Sequence, residues 1–87
     1  MKNVTFAPQA LEDFQFWLEN DKKTIRKIMR LIKDIQRNGL LVGIGQPEKL
    51  KFRDDEYSRR INHSDRLIYT QKNDDLYIYS CRGHYDD

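Results

Sequence analysis

The sequence predicts an α+β fold: a short N-terminal strand, a helical hairpin, and then an antiparallel sheet of three or four strands. Three observations carry this reading. Apolar residues recur at helical spacing as far as Ile35, they alternate every second residue from Tyr57 onwards, and Asn/Asp clusters separate the alternating runs.

The elements follow in order. Val4 and Phe6 fall on one side of an alternating Asn3–Phe6 run, and Pro8 then stands where a first helical turn tolerates a missing amide proton. Leu11, Phe14, Trp17 and Leu18 make an apolar stripe on a helix from about Pro8 to Glu19, with Phe16 off the stripe. Asn20 and Asp21 can cap a second helix whose buried face is Ile25, Ile28, Met29, Ile32 and Ile35, and Gly39 can close it in a left-handed conformation. So short a connection makes a helical hairpin. Gly43, Gly45 and Pro47 break regular structure, so residues 39–48 are expected to be a loop that delivers Glu48 to the surface. Strands are expected at Tyr57–Asn62, Arg66–Gln71 and Leu76–Arg82, with turns at Asn62-His63-Ser64-Asp65 and Asn73-Asp74-Asp75, and Lys49–Phe52 is a candidate fourth. The order is β-α-α-β-β-β, with both helices on one sheet face and the other face open to a partner. At 87 residues the chain has room for one core, so residues 1–87 are expected to form a single domain.

Composition narrows the function. The longest apolar run, Leu40-Leu41-Val42, is far short of the roughly 20 residues of a membrane helix. The N-terminus lacks a secretory signal, so a cytoplasmic location is expected. Cys81 is the single cysteine, which forbids an internal disulfide; it reads as a small buried residue in preference to a nucleophile. The net charge of +2 conceals clustering: residues 22–37 hold seven basic side chains against Asp34 alone, and residues 49–72 hold seven against four acidic ones. Such a stripe reads equally as a polyanion-binding face or as a solvated helix surface.

RNA cleavage by transesterification needs a base for the 2′-hydroxyl, a cation for the charged phosphorane and an acid for the leaving oxygen. Glu48, after Pro47 and before Lys49 and Lys51, is a candidate base, although a lone glutamate is more often simply solvated. Arg66 can fork two donors onto phosphate oxygens, or can pair with Asp54 or Asp55. His84 is a candidate acid, since an imidazole changes charge near neutral pH, whereas His63 lies in a turn and is read as exposed. Tyr85 offers a stacking ring and a hydroxyl, or else tucks the terminus onto the sheet. Zinc, nucleotide-loop and serine-hydrolase motifs are lacking, and Asp54-Asp55-Glu56 reads as a solvated turn in preference to a metal site. No metal or cofactor is expected. Tyr77 and Tyr79 share a face that can serve a dimer contact or the core.

With these residues in place, the chain resembles the YoeB family of toxins, also called Txe, within the RelE superfamily of toxin–antitoxin modules. The markers are Asp21-Lys22-Lys23, Leu31-Ile32-Lys33-Asp34, Gly45-Gln46-Pro47-Glu48-Lys49-Leu50-Lys51, Tyr57-Ser58-Arg59-Arg60-Ile61, Asp65-Arg66-Leu67-Ile68-Tyr69 and Cys81-Arg82-Gly83-His84-Tyr85. The resemblance implies a RelE-like fold and a metal-independent endoribonuclease that enters the ribosomal A site, cuts mRNA there and leaves a cyclic phosphate. By position, Glu48 resembles the general base, His84 the general acid, Arg66 the group that steadies the phosphate and Tyr85 the terminal tyrosine. Lys49, Lys51, Arg59 and Arg60 would supply further phosphate-binding charge. Lys22, Lys23, Arg26, Lys27, Arg30 and Lys33 would contact ribosomal RNA. Implied partners are a YefM-like antitoxin, promoter DNA reached through the antitoxin complex, and the ribosome with its mRNA, with a second copy in a homodimer as a further candidate. Two rivals remain: a non-catalytic module of the same superfamily acting on DNA gyrase, and an RNase that needs no ribosome. The family commonly stops at His-Tyr, whereas here Asp86 and Asp87 follow; beside His84 they would favour its protonated form and repel RNA.

Overall fold

The computed structural model describes residues 1–83. The elements are β1 (Val4–Phe6), α1 (Pro8–Asn20), α2 (Lys22–Asn38), β2 (Glu48–Lys49), β3 (Tyr57–Arg60), β4 (Arg66–Lys72) and β5 (Asp75–Ser80). Pro8 opens α1, as its fixed φ and missing amide proton permit. Asp21 alone joins the helices. Its amide donates to Trp17 O at the end of α1, while its carboxylate accepts from the Lys23 and Thr24 amides and from the Thr24 hydroxyl at the start of α2.

The five strands lie in the order β1-β5-β4-β3-β2. The four later strands pair antiparallel, but β1 runs parallel to β5, with Val4 opposite Leu76 and Phe6 opposite Ile78. The sheet is therefore mixed. The hairpin carries the chain to the far edge, and the meander walks back until its last strand meets the first in the same direction. Strand ends were set by competing partners. Asn62 Oδ1 accepts from the Ser64 and Asp65 amides, so β3 stops at Arg60 and not Asn62. The Cys81 amide turns to Asp13, so β5 stops at Ser80 and not Arg82. Only Glu48 and Lys49 form β2, because the Leu50 amide bonds Glu56 O and closes a loop in which Phe52 is 82% exposed.

The core lies between the helices and one sheet face, with Ile28, Leu31, Ile35, Leu67, Tyr69, Leu76, Ile78 and Cys81 wholly buried. The expected stripes held in part: Trp17 on α1 and Ile28, Ile32 and Ile35 on α2 are buried, with Phe14 and Ile25 packed against the core. On α1 the buried positions are Ala10, Asp13 and Trp17, while Leu11 and Leu18 are exposed; on α2 Leu31 is buried and Met29 is exposed. The opposite sheet face is not bare either, since Ser58 and Ile68 are wholly buried there. No helix of the described residues is long and apolar enough to cross a membrane.

Cys81 is a core residue, as its reading as a small buried side chain anticipated. Burial pushes its thiol up to about 12, with the Asp13 and Asp65 carboxylates adding to the shift. The native protein should therefore stay silent towards a thiol reagent near neutral pH and react fully once denatured. Rapid native labelling would show that the thiolate is accessible after all.

Candidate functional site

The loop between α2 and β2 is built around one arginine. Arg59 extends from β3 toward the helix side of the sheet and is wholly buried. Its Nε donates to Tyr69 Oη, Nη1 to the Asp34 carboxylate and to Ile44 O, and Nη2 to Gly39 O and Val42 O. These five bonds use every N–H of a guanidinium. Tyr69 Oη in turn donates to Leu40 O at 2.6 Å, and the Ile44 amide donates to Asp34 Oδ2 at 3.0 Å. The backbone packs so closely that a Cβ on Gly43 would lie 1.8 Å from Asp34 Oδ2. Arg59 is therefore not available to RNA, contrary to the expectation from sequence. A guanidinium with all five donors satisfied inside the protein has nothing left to offer a phosphate.

This loop leads into Glu48. The Arg60 amide donates to Gly45 O at 2.7 Å, and Glu48 then pairs with Ser58. Ser58 lies opposite Ile68, and Arg60 opposite Arg66. Because side chains alternate across a strand, Glu48, Ser58, Arg60 and Arg66 share the sheet face turned away from the helices. There Arg66 Nη1 donates to Glu48 Oε1 at 2.7 Å and to Ser58 Oγ at 3.2 Å. Arg66 is thus paired with Glu48, not with Asp54 or Asp55. The Glu48 side chain is 54% exposed and that of Arg66 22%, so both remain open to a ligand. A pair so exposed contributes only about 0–1 kcal/mol, little enough for an incoming phosphate to displace.

Other candidates fall elsewhere. Lys49 pairs with Tyr57, which places its side chain on the opposite side of the edge strand from Glu48. Lys51 lies exposed in the loop after β2. Lys22, Lys23, Arg26, Arg30 and Lys33 are exposed on α2, and Lys27 is half-buried. They belong to the helix layer, across the sheet from the Glu48–Arg66 pair. Arg30, Lys33 and Arg37 border a depression of about 270 Å³ together with Asp34 and Ile44. A polyanion engaging both sets of cations would have to reach around the protein. His63 is exposed, as expected.

His84, Tyr85, Asp86 and Asp87 lie outside the described residues. The residue before them is nevertheless placed: Gly83 O accepts from the Arg66 amide at 2.7 Å, and the Gly83 amide donates to Asp65 Oδ1 at 2.7 Å. Arg66 therefore touches Glu48 through its side chain and the chain leading to His84 through its backbone. Sequence reasoning missed Ser58, Asp34, Tyr69, Asp13 and Asp65 as supports. One signal was present: Asp13 is a charge set at helical spacing between Ala10 and Trp17.

Residues 6–85 match the family described as YoeB-like toxin of bacterial type II toxin-antitoxin system. The chain is 46% identical to Toxin YoeB of Mycobacterium bovis over 86 residues, covering 98% of this chain and 100% of that one. It is 40% identical to Toxin YoeB of Escherichia coli K12 over 83 residues, covering 94% and 98%. Among solved structures, the YoeB-YefM heterotetrameric complex from Staphylococcus aureus matches with TM-score 0.89 and 54% identity, over 95% of this chain and 97% of that one. The YoeB dimer from the same organism matches with TM-score 0.90 and 52% identity over the same shares. The Escherichia coli DinJ-YafQ complex, at 15% identity and TM-score 0.78 over 97% and 94%, shares the fold.

Proposed function

The chain belongs to the YoeB-like toxins of bacterial type II toxin–antitoxin systems, and from that premise we propose that it is a metal-independent endoribonuclease that cuts mRNA in the ribosomal A site. The observation that carries this reading is the position of Arg66. It holds Glu48 with its side chain and, through its amide, the carbonyl of Gly83, the residue before His84.

In the proposed reaction a phosphodiester takes the place of Glu48 on Arg66. The released carboxylate removes the proton from the 2′-hydroxyl, whose oxygen attacks phosphorus. Arg66 stabilises the charge that develops on the non-bridging oxygens. As the bond to the 5′-oxygen breaks, His84 donates a proton to it, leaving a 2′,3′-cyclic phosphate and a free 5′-hydroxyl. Arg60, on the same face, adds positive charge, and Tyr85 offers a ring for base stacking. A general acid or base contributes about 10²- to 10⁴-fold, so the ribosome must supply much of the rest by holding the mRNA in line. The α2 cations, across the sheet from this chemistry, suit ribosomal RNA better than the scissile strand. Cytoplasmic action follows from that substrate. As with the Staphylococcus aureus relatives, a YefM-type antitoxin is the proposed partner, with promoter DNA bound through that complex, and a homodimer is a proposed assembly.

Incubating the purified protein with mRNA, with and without ribosomes, and mapping the ends by primer extension tests the reading. Cutting only with ribosomes is expected. Cutting in both arms would make it a free-standing RNase, and none in either would favour the gyrase-directed binding module.

A further inference from the structure

The short segment before His84 is held from several sides. Cys81 bonds α1 through both of its backbone groups: its amide donates to Asp13 Oδ2 at 3.0 Å, and its carbonyl accepts from Trp17 Nε1 at 2.8 Å. The Arg82 guanidinium lies 3.4 Å from the centroid of the Phe16 ring. Gly83 bonds the β3–β4 turn and β4 through both of its backbone groups, to Asp65 Oδ1 and to the Arg66 amide. Its φ of +80° suits glycine, although a Cβ there would meet nothing within 4 Å, so the conformation and not the space selects the residue.

The two carboxylates are placed for this task. Asp13 is 6% exposed, and besides the Cys81 amide its partner is the neutral Gln9 amide, 2.9 Å from Oδ1; among the described residues no salt bridge holds it. A buried carboxyl needs its oxygens hydrogen-bonded, and the Cys81 amide supplies one of the two donors found here. Asp65 holds Gly83 with one oxygen and Asn62 Nδ2 with the other, at 3.0 Å, so the turn itself orients the oxygen that grips the terminal segment.

We propose that Asp13 and Asp65 are positioning residues, which fix the backbone of residues 81–83 so that His84 is presented to the phosphate held by Arg66. This rests on the assignment of His84 as the acid. Neither carboxylate touches the substrate. They act on where the acid starts, and a misplacement of about 1 Å can cost on the order of 10²-fold in rate.

Steady-state cleavage of ribosome-bound mRNA by the full chain tests this with Asp65→Ala, Asp65→Asn, Asp13→Ala and Asp13→Asn beside His84→Ala. Each alanine variant is expected to lose roughly 10- to 100-fold in kcat with little change in KM. Each asparagine variant keeps one acceptor oxygen for the Cys81 or Gly83 amide and should recover part of that loss, less at Asp65, where the second oxygen also accepts from Asn62. Amide hydrogen exchange at Gly83 should speed up in Asp65→Ala and not in Asp65→Asn. Folded Asp65→Ala and Asp13→Ala proteins with wild-type kcat would overturn the proposal, as would asparagine variants no better than alanine. Should Asp65→Ala fold poorly, Asp13→Ala, on a different element, carries the same expectation. Inactive wild-type protein, or an active His84→Ala variant, would instead sink the functional reading.

Discussion

Arg59→Ala is expected to lower folding stability by about 3 kcal/mol or more, because removing one partner of a buried ion pair strands the other. The change would leave Asp34 facing the loop without its cation, and Gly39 O, Val42 O and Tyr69 Oη without the donor they now share. For a chain of this size the loss corresponds to a melting temperature lower by roughly 12 °C or more. Urea unfolding measures it directly; a change below about 0.5 kcal/mol would mean that the network is dispensable. Arg59→Lys should recover only part, since an ammonium cannot reach five acceptors in a plane.

The same pair sets a pH dependence. The hydrogen bond from Arg59 holds the Asp34 carboxyl below its ordinary value of 3.8, against the opposing effect of burial. A carboxyl depressed in the folded state adds stability above its unfolded value and loses it as pH falls through the folded one. Asp21, lowered chiefly by the Thr24 hydroxyl, acts in the same direction. Urea midpoints should thus decline as pH falls below 3.8, and less steeply in Arg59→Ala, where Asp34 has lost the main cause of its shift.

Arg66→Ala is expected to reduce cleavage on ribosomes by about 10²- to 10³-fold, the usual loss when one donor to a developing oxyanion is removed. Glu48→Gln should cost on the order of 10²- to 10⁴-fold. The two variants should differ in binding. Without Glu48 the Arg66 guanidinium no longer has a carboxylate competing with phosphate, so Glu48→Gln should hold programmed ribosomes at least as tightly as wild type. Arg66→Ala should hold them more weakly. Equal cleavage rates for both variants and wild type, with folding intact, would remove the pair from the mechanism. Stability should barely change in Glu48→Gln, because that partner is half exposed and such a pair contributes about 0–1 kcal/mol, whereas Arg66→Ala also removes a donor from the wholly buried Ser58 hydroxyl and should cost somewhat more.

Local chemistry made much of the fold legible. Pro8, Asp21 and Gly39 mark helix ends because their backbone preferences and capping groups act within a few residues, and the structure uses all three. The turn residues at 62–65 delimit strands for the same reason, as do Asn73 and Asp74, whereas Asp75, expected in that turn, already pairs with Lys72 as the first residue of β5. Periodicity did less well at choosing the buried face: Leu11 and Met29 have the right chemistry for the core but stand outside it, while Asp13 stands inside.

His84 could be named because the chain has only two histidines, whereas Glu48 and Arg66, one of four glutamates and one of eight arginines, were named by the motifs that carry the resemblance. Their assembly could not. The sequence by itself determined the order of elements and the helix ends, because these depend on neighbours along the chain. Tertiary structure alone decided that β1 lies parallel to β5, that Arg66 meets Glu48 across β3, and that Arg59 is withdrawn from the surface while Arg60 is not. Adjacent residues on a strand face opposite sides of the sheet. Which side met the helix carrying Asp34, and which faced away from the helices, depended on contacts between residues 25 positions apart.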